Sequence, residues 1–205
     1  LTPPTSNSLW GVSAVNTTTA FFVGTGGVLW KTTNSGSSFS VLNNLGTTET
    51  LTDIIFTSPT VGIVVGQSSI RRTINGGSTW TLVNSSSLLK EMCFVDINIG
   101  YVVGSGGKVL KTTDGGINWT QLTTNSTAYL QGVSFYDANN GIVVGINGVI
   151  LVTNDGGTTW YNQSSGTTTN LYDVRMLSPT SAVVVGDGGK VLKNNKLLLA
   201  LVCIN

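Results

Sequence analysis

Nine carboxylates and no histidine make up the acid–base inventory of this 205-residue chain. Without histidine, the Ser/His/Asp and Cys/His nucleophilic arrangements and the commonest zinc ligand are excluded. Three of the carboxylates stand at one recurring place: Asp53 in "LTDIIF", Glu91 in "LKEMCF" and Asp173 in "LYDVRM". Brought together, such groups have the chemistry of a Ca²⁺ site or of the acid–base pair of a glycoside hydrolase. The residue just before that place differs in every phrase, being Trp10, Thr52, Lys90, Gln131 and Tyr172. Two aromatic faces flanked by amide, hydroxyl and carboxylate groups suit a saccharide, which needs apolar stacking and planar polar partners. The plainer reading makes the carboxylates strand-start residues and the aromatics packing side chains, and no residue is assigned catalysis.

These residues are positioned by a repeat. Phrases beginning at Leu9, Leu51, Leu89, Leu130 and Leu171 are each followed by an apolar run ending in glycine, at Gly24, Gly66, Gly104, Gly145 and Gly186. An aromatic closes four of the units, at Phe39, Trp80, Trp119 and Trp160, with separations of 41, 39 and 41 residues. Five units averaging 41 residues account for the whole chain. Within the third unit, "LKEMCF", "GYVVG", "KVLKTT" and "INWTQL" are β-rich runs separated by Gly, Asn and Asp turns, with no helical period. Four strands in a unit of about 40 residues is the pattern of a propeller blade.

The sequence therefore predicts an all-β fold, a five-bladed β-propeller with four antiparallel strands per blade. It forms a single domain over residues 1–205, with blades near 9–44, 51–84, 89–122, 130–163 and 171–205. Continuously apolar runs such as "IVVG" are inner strands buried on both faces. Asp53, Glu91 and Asp173 then ring one mouth of the central channel, and if the ring closes Trp10 and Tyr172 lie in adjacent blades there.

The turn before each closing aromatic reads "KTTNSGSSFS", "RTINGGSTWT", "KTTDGGINWT" and "VTNDGGTTWY". Asn34, Asn75, Asp114 and Asp155 are expected to accept backbone N–H bonds in the turn between third and fourth strands. Gly36, Gly77, Gly116 and Gly157 supply left-handed dihedrals, and Phe39, Trp80, Trp119 and Trp160 fold back onto the blade. This is a folding clasp rather than a metal or sugar ligand set, because a residue repeated in an equivalent turn needs only a repeated folding reason.

These phrases resemble the Asp-box, S/T-x-D/N-x-G-x-T/S-W, of sialidases, sortilin-type receptors, some glycoside hydrolases and the Ycf48-like photosystem II assembly factors. With units such as "GKVLKTTDGGINWT", the chain is most similar to the Ycf48-like repeat, over about four-fifths of its length. The resemblance implies a propeller whose boxes are structural. A sialidase's converging arginines and the Arg-rich face of the Ycf48-like factors are not matched, since the only arginines are Arg71, Arg72 and Arg175.

Composition bounds the partners. Only 9% of residues are charged, against about a quarter in ordinary soluble domains. With net charge +1 and no basic cluster beyond Arg71–Arg72, nothing supplies a nucleic-acid-binding patch. No apolar stretch is long enough for a membrane span. The Ser/Thr/Asn-rich chain, starting at Leu1 with no leader pattern, reads as a processed secreted or cell-surface protein. Cys93 falls on an inner strand and Cys203 on an outer one, so they are expected not to bond to each other. The tail "KNNKLLLALVCIN" lacks a clasp, and its Leu197, Leu198, Leu199, Leu201 and Val202 form a candidate interface, because an apolar outer edge recruits other chains.

The functional expectation is a non-catalytic protein-interaction or self-assembling scaffold without a cofactor, Ca²⁺ at the three carboxylates being the one exception weighed. The alternative is a carbohydrate-binding propeller, with candidate ligand-binding residues Trp10, Asp53, Lys90, Glu91, Gln131, Tyr172 and Asp173. A weaker alternative is a glycoside hydrolase using Asp53, Glu91 and Asp173.

Overall fold

The innermost strands in the computed structural model, which describes residues 7–194, are Leu9–Ala14, Leu51–Phe56, Leu89–Phe94, Leu130–Phe135 and Leu171–Ser178. Each begins an antiparallel sheet in which consecutive strands are neighbours. Four sheets have four strands, and the fifth has three among the described residues. The all-β expectation and the four-strand antiparallel unit are thus met in the first four sheets. Residues 197–202, the candidate interface, and Cys203 lie outside the described residues; Cys93 is on the third innermost strand as a free thiol.

The second strands explain the uninterrupted apolar runs. Gly62–Gly66, Gly100–Gly104 and Gly141–Gly145 are buried at every position, because each is covered on both faces by a neighbouring sheet. On the innermost strands the first and fourth positions turn toward the preceding sheet. Leu51 and Ile54 join Phe21, Val23 and Leu29 of the first sheet in one cluster. Leu89 and Met92 join Ile63, Val65 and Ile70 of the second. The same contact carries Leu130 and Val133 onto the third sheet, and Leu171 and Val174 onto the fourth. The innermost strands pack in succession from first to fifth, and no comparable contact among the described residues joins the fifth sheet back to the first.

Each four-stranded sheet is held at its third-to-fourth strand turn by a hub that the sequence reading did not identify, a buried threonine. Thr112 Oγ1 donates to Asp114 Oδ1 at 2.8 Å and accepts the Gly116 N–H at 2.9 Å. Asp114 Oδ1 in turn accepts the Asn118 N–H at 2.9 Å, as expected of the acidic residue. Thr32, Thr73 and Thr153 make the same pair of bonds to Asn34 and Gly36, Asn75 and Gly77, and Asp155 and Gly157. The glycines sit at φ of 84°, 82°, 83° and 86°, which a side chain resists. Trp80, Trp119 and Trp160 then pack edge-on against Phe56, Phe94 and Phe135, each with ring centroids 6.1 Å apart. Phe39 packs instead on Phe22 and Trp30.

Thr112→Val keeps the volume but leaves the buried Gly116 N–H without its acceptor. Urea unfolding should show a loss of about 1–3 kcal/mol; an unchanged midpoint would mean that the hydroxyl is dispensable.

Candidate functional site

The five innermost strands open onto a cavity of about 740 Å³ whose wall includes Trp10, Thr52, Asp53, Lys90, Glu91, Gln131, Tyr172 and Asp173. All seven candidate ligand-binding residues are therefore brought to one mouth, and all stand at the second or third position of an innermost strand. A β-bulge or register irregularity affects every one of these strands near its start, where the pairing with the second strand skips a residue. That departure from regular pairing lets neighbouring side chains share the channel side instead of strictly alternating across the sheet.

The second position carries the variable chemistry. Trp10 and Tyr172 are exposed aromatics at the mouth. Lys90 Nζ lies 5.2 Å from the centroid of the Trp10 ring, a cation–π contact that reaches from the third sheet to the first. Tyr172 Oη donates to Asp187 Oδ1 at 2.6 Å, a bond that holds the ring and that the sequence had not indicated.

The third position joins sheets. Asp53 accepts the Ile54 N–H at 2.7 Å with one oxygen and the Met92 N–H of the next sheet at 3.0 Å with the other. Glu91 likewise accepts from the backbone of Val133. Where the third position is Gly11 or Gly132, the backbones approach instead, and a Cβ there would lie 2.9 Å from the Cα of Asp53 or Asp173. Asp53 and Glu91 thus each tie their own sheet to a backbone donor of the next. Among the described residues no group of three His, Cys, Asp or Glu side chains is arranged to hold a metal ion.

Desolvation dominates the electrostatics. Burial raises the Asp53 carboxyl to about 6, partly offset by its two backbone donors. Burial, reinforced by the charges of Asp173 and Asp53, raises Glu91 to about 9, so that it is protonated at neutral pH. The clasp acid Asp114 moves the other way, to about 2, chiefly because it accepts the Asn118 N–H.

Comparison with known proteins gives a consistent family. The sequence profile described as "Photosynthesis system II assembly factor YCF48" matches residues 37–125, 79–162 and 123–195. A photosystem II assembly lipoprotein Ycf48 of Synechococcus sp. (strain CC9902) is 39% identical over 77 residues, which is 34% of this chain and 23% of that protein. A structure of YCF48 bound to D1 peptide superposes with a TM-score of 0.75 at 17% identity, over 93% of this chain and 65% of that one. YCF48 from Cyanidioschyzon merolae gives 0.72 at 18% identity, over 97% and 70%. At these identities the structural likeness speaks for the propeller-type fold alone, and the chain spans about two-thirds of the first solved relative and less of the curated one.

The raised Glu91 value has a stability consequence of definite sign. An acid whose folded-state value lies above its ordinary 4.5 destabilises the fold progressively as pH rises from there toward about 9. Glu91→Gln keeps an acceptor for Val133 and removes the charge. Thermal melts should show the variant gaining on the parent as pH rises through that window, with little difference at pH about 4; parallel curves would contradict the assignment.

Proposed function

The chain belongs to the photosystem II assembly factor YCF48 family, and from that premise we propose that it is a non-catalytic, extracytoplasmic protein-binding module that receives an extended peptide segment of a partner at its channel mouth. We read the five sheets as five blades of one propeller domain, and the Thr–Asx–Gly–aromatic turns as its Asp-boxes.

The observation that carries this reading is the contrast between two positions in the repeat. The clasp residues recur in four units because each sheet needs the same turn. The second position of the innermost strand carries Trp10, Thr52, Lys90, Gln131 and Tyr172, all on the wall of one cavity. Scaffold positions repeat and recognition positions diverge. Two exposed aromatics, an ammonium and an amide offer stacking and hydrogen bonding to a peptide whose backbone presents both donors and acceptors.

The relatives support the ligand class. One solved YCF48 holds a D1 peptide, and the curated relative is named as a lipoprotein, which supports the extracytoplasmic placement. No helix among the described residues is long and apolar enough to cross a membrane.

A fluorescein-labelled D1 peptide titrated by anisotropy tests the reading. The parent should bind saturably, and Trp10→Ala with Tyr172→Ala should weaken binding at least about tenfold, the size of effect expected when aromatic anchors are lost. No binding by the parent, or equal binding by parent and variant, would overturn the mouth assignment. Saturation by a glycan in place of the peptide would favour a carbohydrate-binding module.

A further inference from the structure

The channel mouth already holds one cation, and the protein itself supplies it. Lys90 extends from the third sheet past Thr52 of the second to the Trp10 ring of the first, where its Nζ lies 5.2 Å from the ring centroid. It gains no hydrogen bond or ion pair among the described residues by doing so. A lysine on a rim ordinarily lets its charged head run out into water. Here the head lies over a ring, because two attractions act on it together. One is the electron-rich face of the indole. The other is the negative field of Asp53 and Glu91, both of which feel the Lys90 charge.

With Lys90 in place the wall is still short of positive charge. Asp53, Glu91 and Asp173 line the same cavity, and Lys90 is the only basic residue among its described lining. The three acids repel one another: Asp173 and Asp53 each make Glu91 harder to ionise, and Asp173 does the same to Asp53. Trp10 is 57% exposed, so its ring keeps area for a ligand arriving from outside. Tyr172 repeats the combination, an exposed ring bonded to the Asp187 carboxylate and next to Asp173. The carboxylates alone would be no more than groups that bridge strands. The ammonium held over the ring is what shows that this place accepts a cation.

We propose that the Trp10 face and the acids beside it form a subsite for a basic side chain of the partner segment, arginine foremost, and that Lys90 occupies this subsite in the free protein and is displaced on binding. The inference rests on the mouth being a peptide site, and adds which side chain it selects. Arginine is preferred for a physical reason. Its planar guanidinium stacks on an indole while its fork of N–H donors reaches a carboxylate, whereas an ammonium is a strongly hydrated point charge. Lys90 is a weak occupant on the same grounds, and holding its four-carbon stem in one geometry costs rotamer freedom. It is only half-buried, so the displaced ammonium has water to return to. Lys90 also makes the subsite selective, since a neutral or acidic side chain gains nothing at the ring by displacing it.

Nuclear magnetic resonance reads the subsite directly. Capped glycine pentapeptides with a central arginine, citrulline or glutamate are titrated at low ionic strength, where exposed charges are least screened. Citrulline keeps the shape of arginine without its charge. The Trp10 indole N–H should shift saturably with the arginine peptide, which should bind at least about tenfold more tightly than the citrulline peptide, the size of one well-desolvated cation–π contact. In the free protein the Trp10 ring current moves the Lys90 ε-methylene protons upfield, and that displacement should be lost as the arginine peptide binds. Lys90→Met and Lys90→Gln, which vacate the ring, should each tighten the arginine peptide at least about threefold, by removing the fraction of molecules whose subsite is taken. The proposal is overturned if the arginine peptide causes no shift, if citrulline or glutamate binds as well, if the Lys90 protons keep their upfield position in the complex, or if neither Lys90 variant binds more tightly. The peptide reading of the mouth is then judged separately, by whether the labelled D1 peptide is lost from the doubly substituted Trp10→Ala, Tyr172→Ala chain.

Discussion

A leucine at the first position of an innermost strand, and an apolar residue at the fourth, cannot be buried by their own sheet, because both point away from it toward the sheet before. Leu51 and Ile54, Leu89 and Met92, Leu130 and Val133, and Leu171 and Val174 are all covered this way. Each sheet is thus stabilised mainly by its neighbour, and the second strands become apolar on both faces. The order of the sheets, the central channel and the placement of the second- and third-position side chains on its wall follow from that one recurring contact. Burial of apolar area drives it, at about 25 cal/mol per Å², and the charge-poor composition leaves little else to do so.

The polar groups work within that frame by satisfying backbone donors that the packing strands. Thr112 and Asp114 answer the N–H groups of a tight turn. Asp53 and Glu91 answer N–H groups of the next sheet, as Ser13 and Ser134 do one layer further along the strand. Two classes of acid emerge with opposite shifts. Asp114, near the surface with several donors, is easily ionised; Glu91, buried among other carboxylates, is not. The same residue chemistry serves as a clasp in one place and a bridge between sheets in the other.

Much of this was legible in the sequence. The spacing of Gly24, Gly66, Gly104, Gly145 and Gly186 marks the sheets, and the recurring Asx–Gly–aromatic phrase marks the turns. The convergence of Trp10, Lys90, Gln131 and Tyr172 follows from their equal place in the repeat. The threonine hub was also visible, since Thr32, Thr73, Thr112 and Thr153 each stand two residues before the Asn or Asp. A threonine in a strand has many explanations, however, and only the burial and the paired bonds choose among them. The role of Asp53 was out of reach for a different reason. Its partner is the backbone of Met92, 39 residues on, and a backbone N–H carries no sequence signature.

The central claim is that one contact builds the scaffold and the channel mouth carries recognition. Hydrogen exchange of the amides, measured with and without the D1 peptide, tests it most directly, because protection reports local opening and occlusion residue by residue. The account predicts that added protection falls on the starts of the innermost strands, around Trp10, Lys90, Gln131 and Tyr172, with the clasp turns unchanged. Protection concentrated on the clasps and outer strands, with the mouth unaffected, would contradict it.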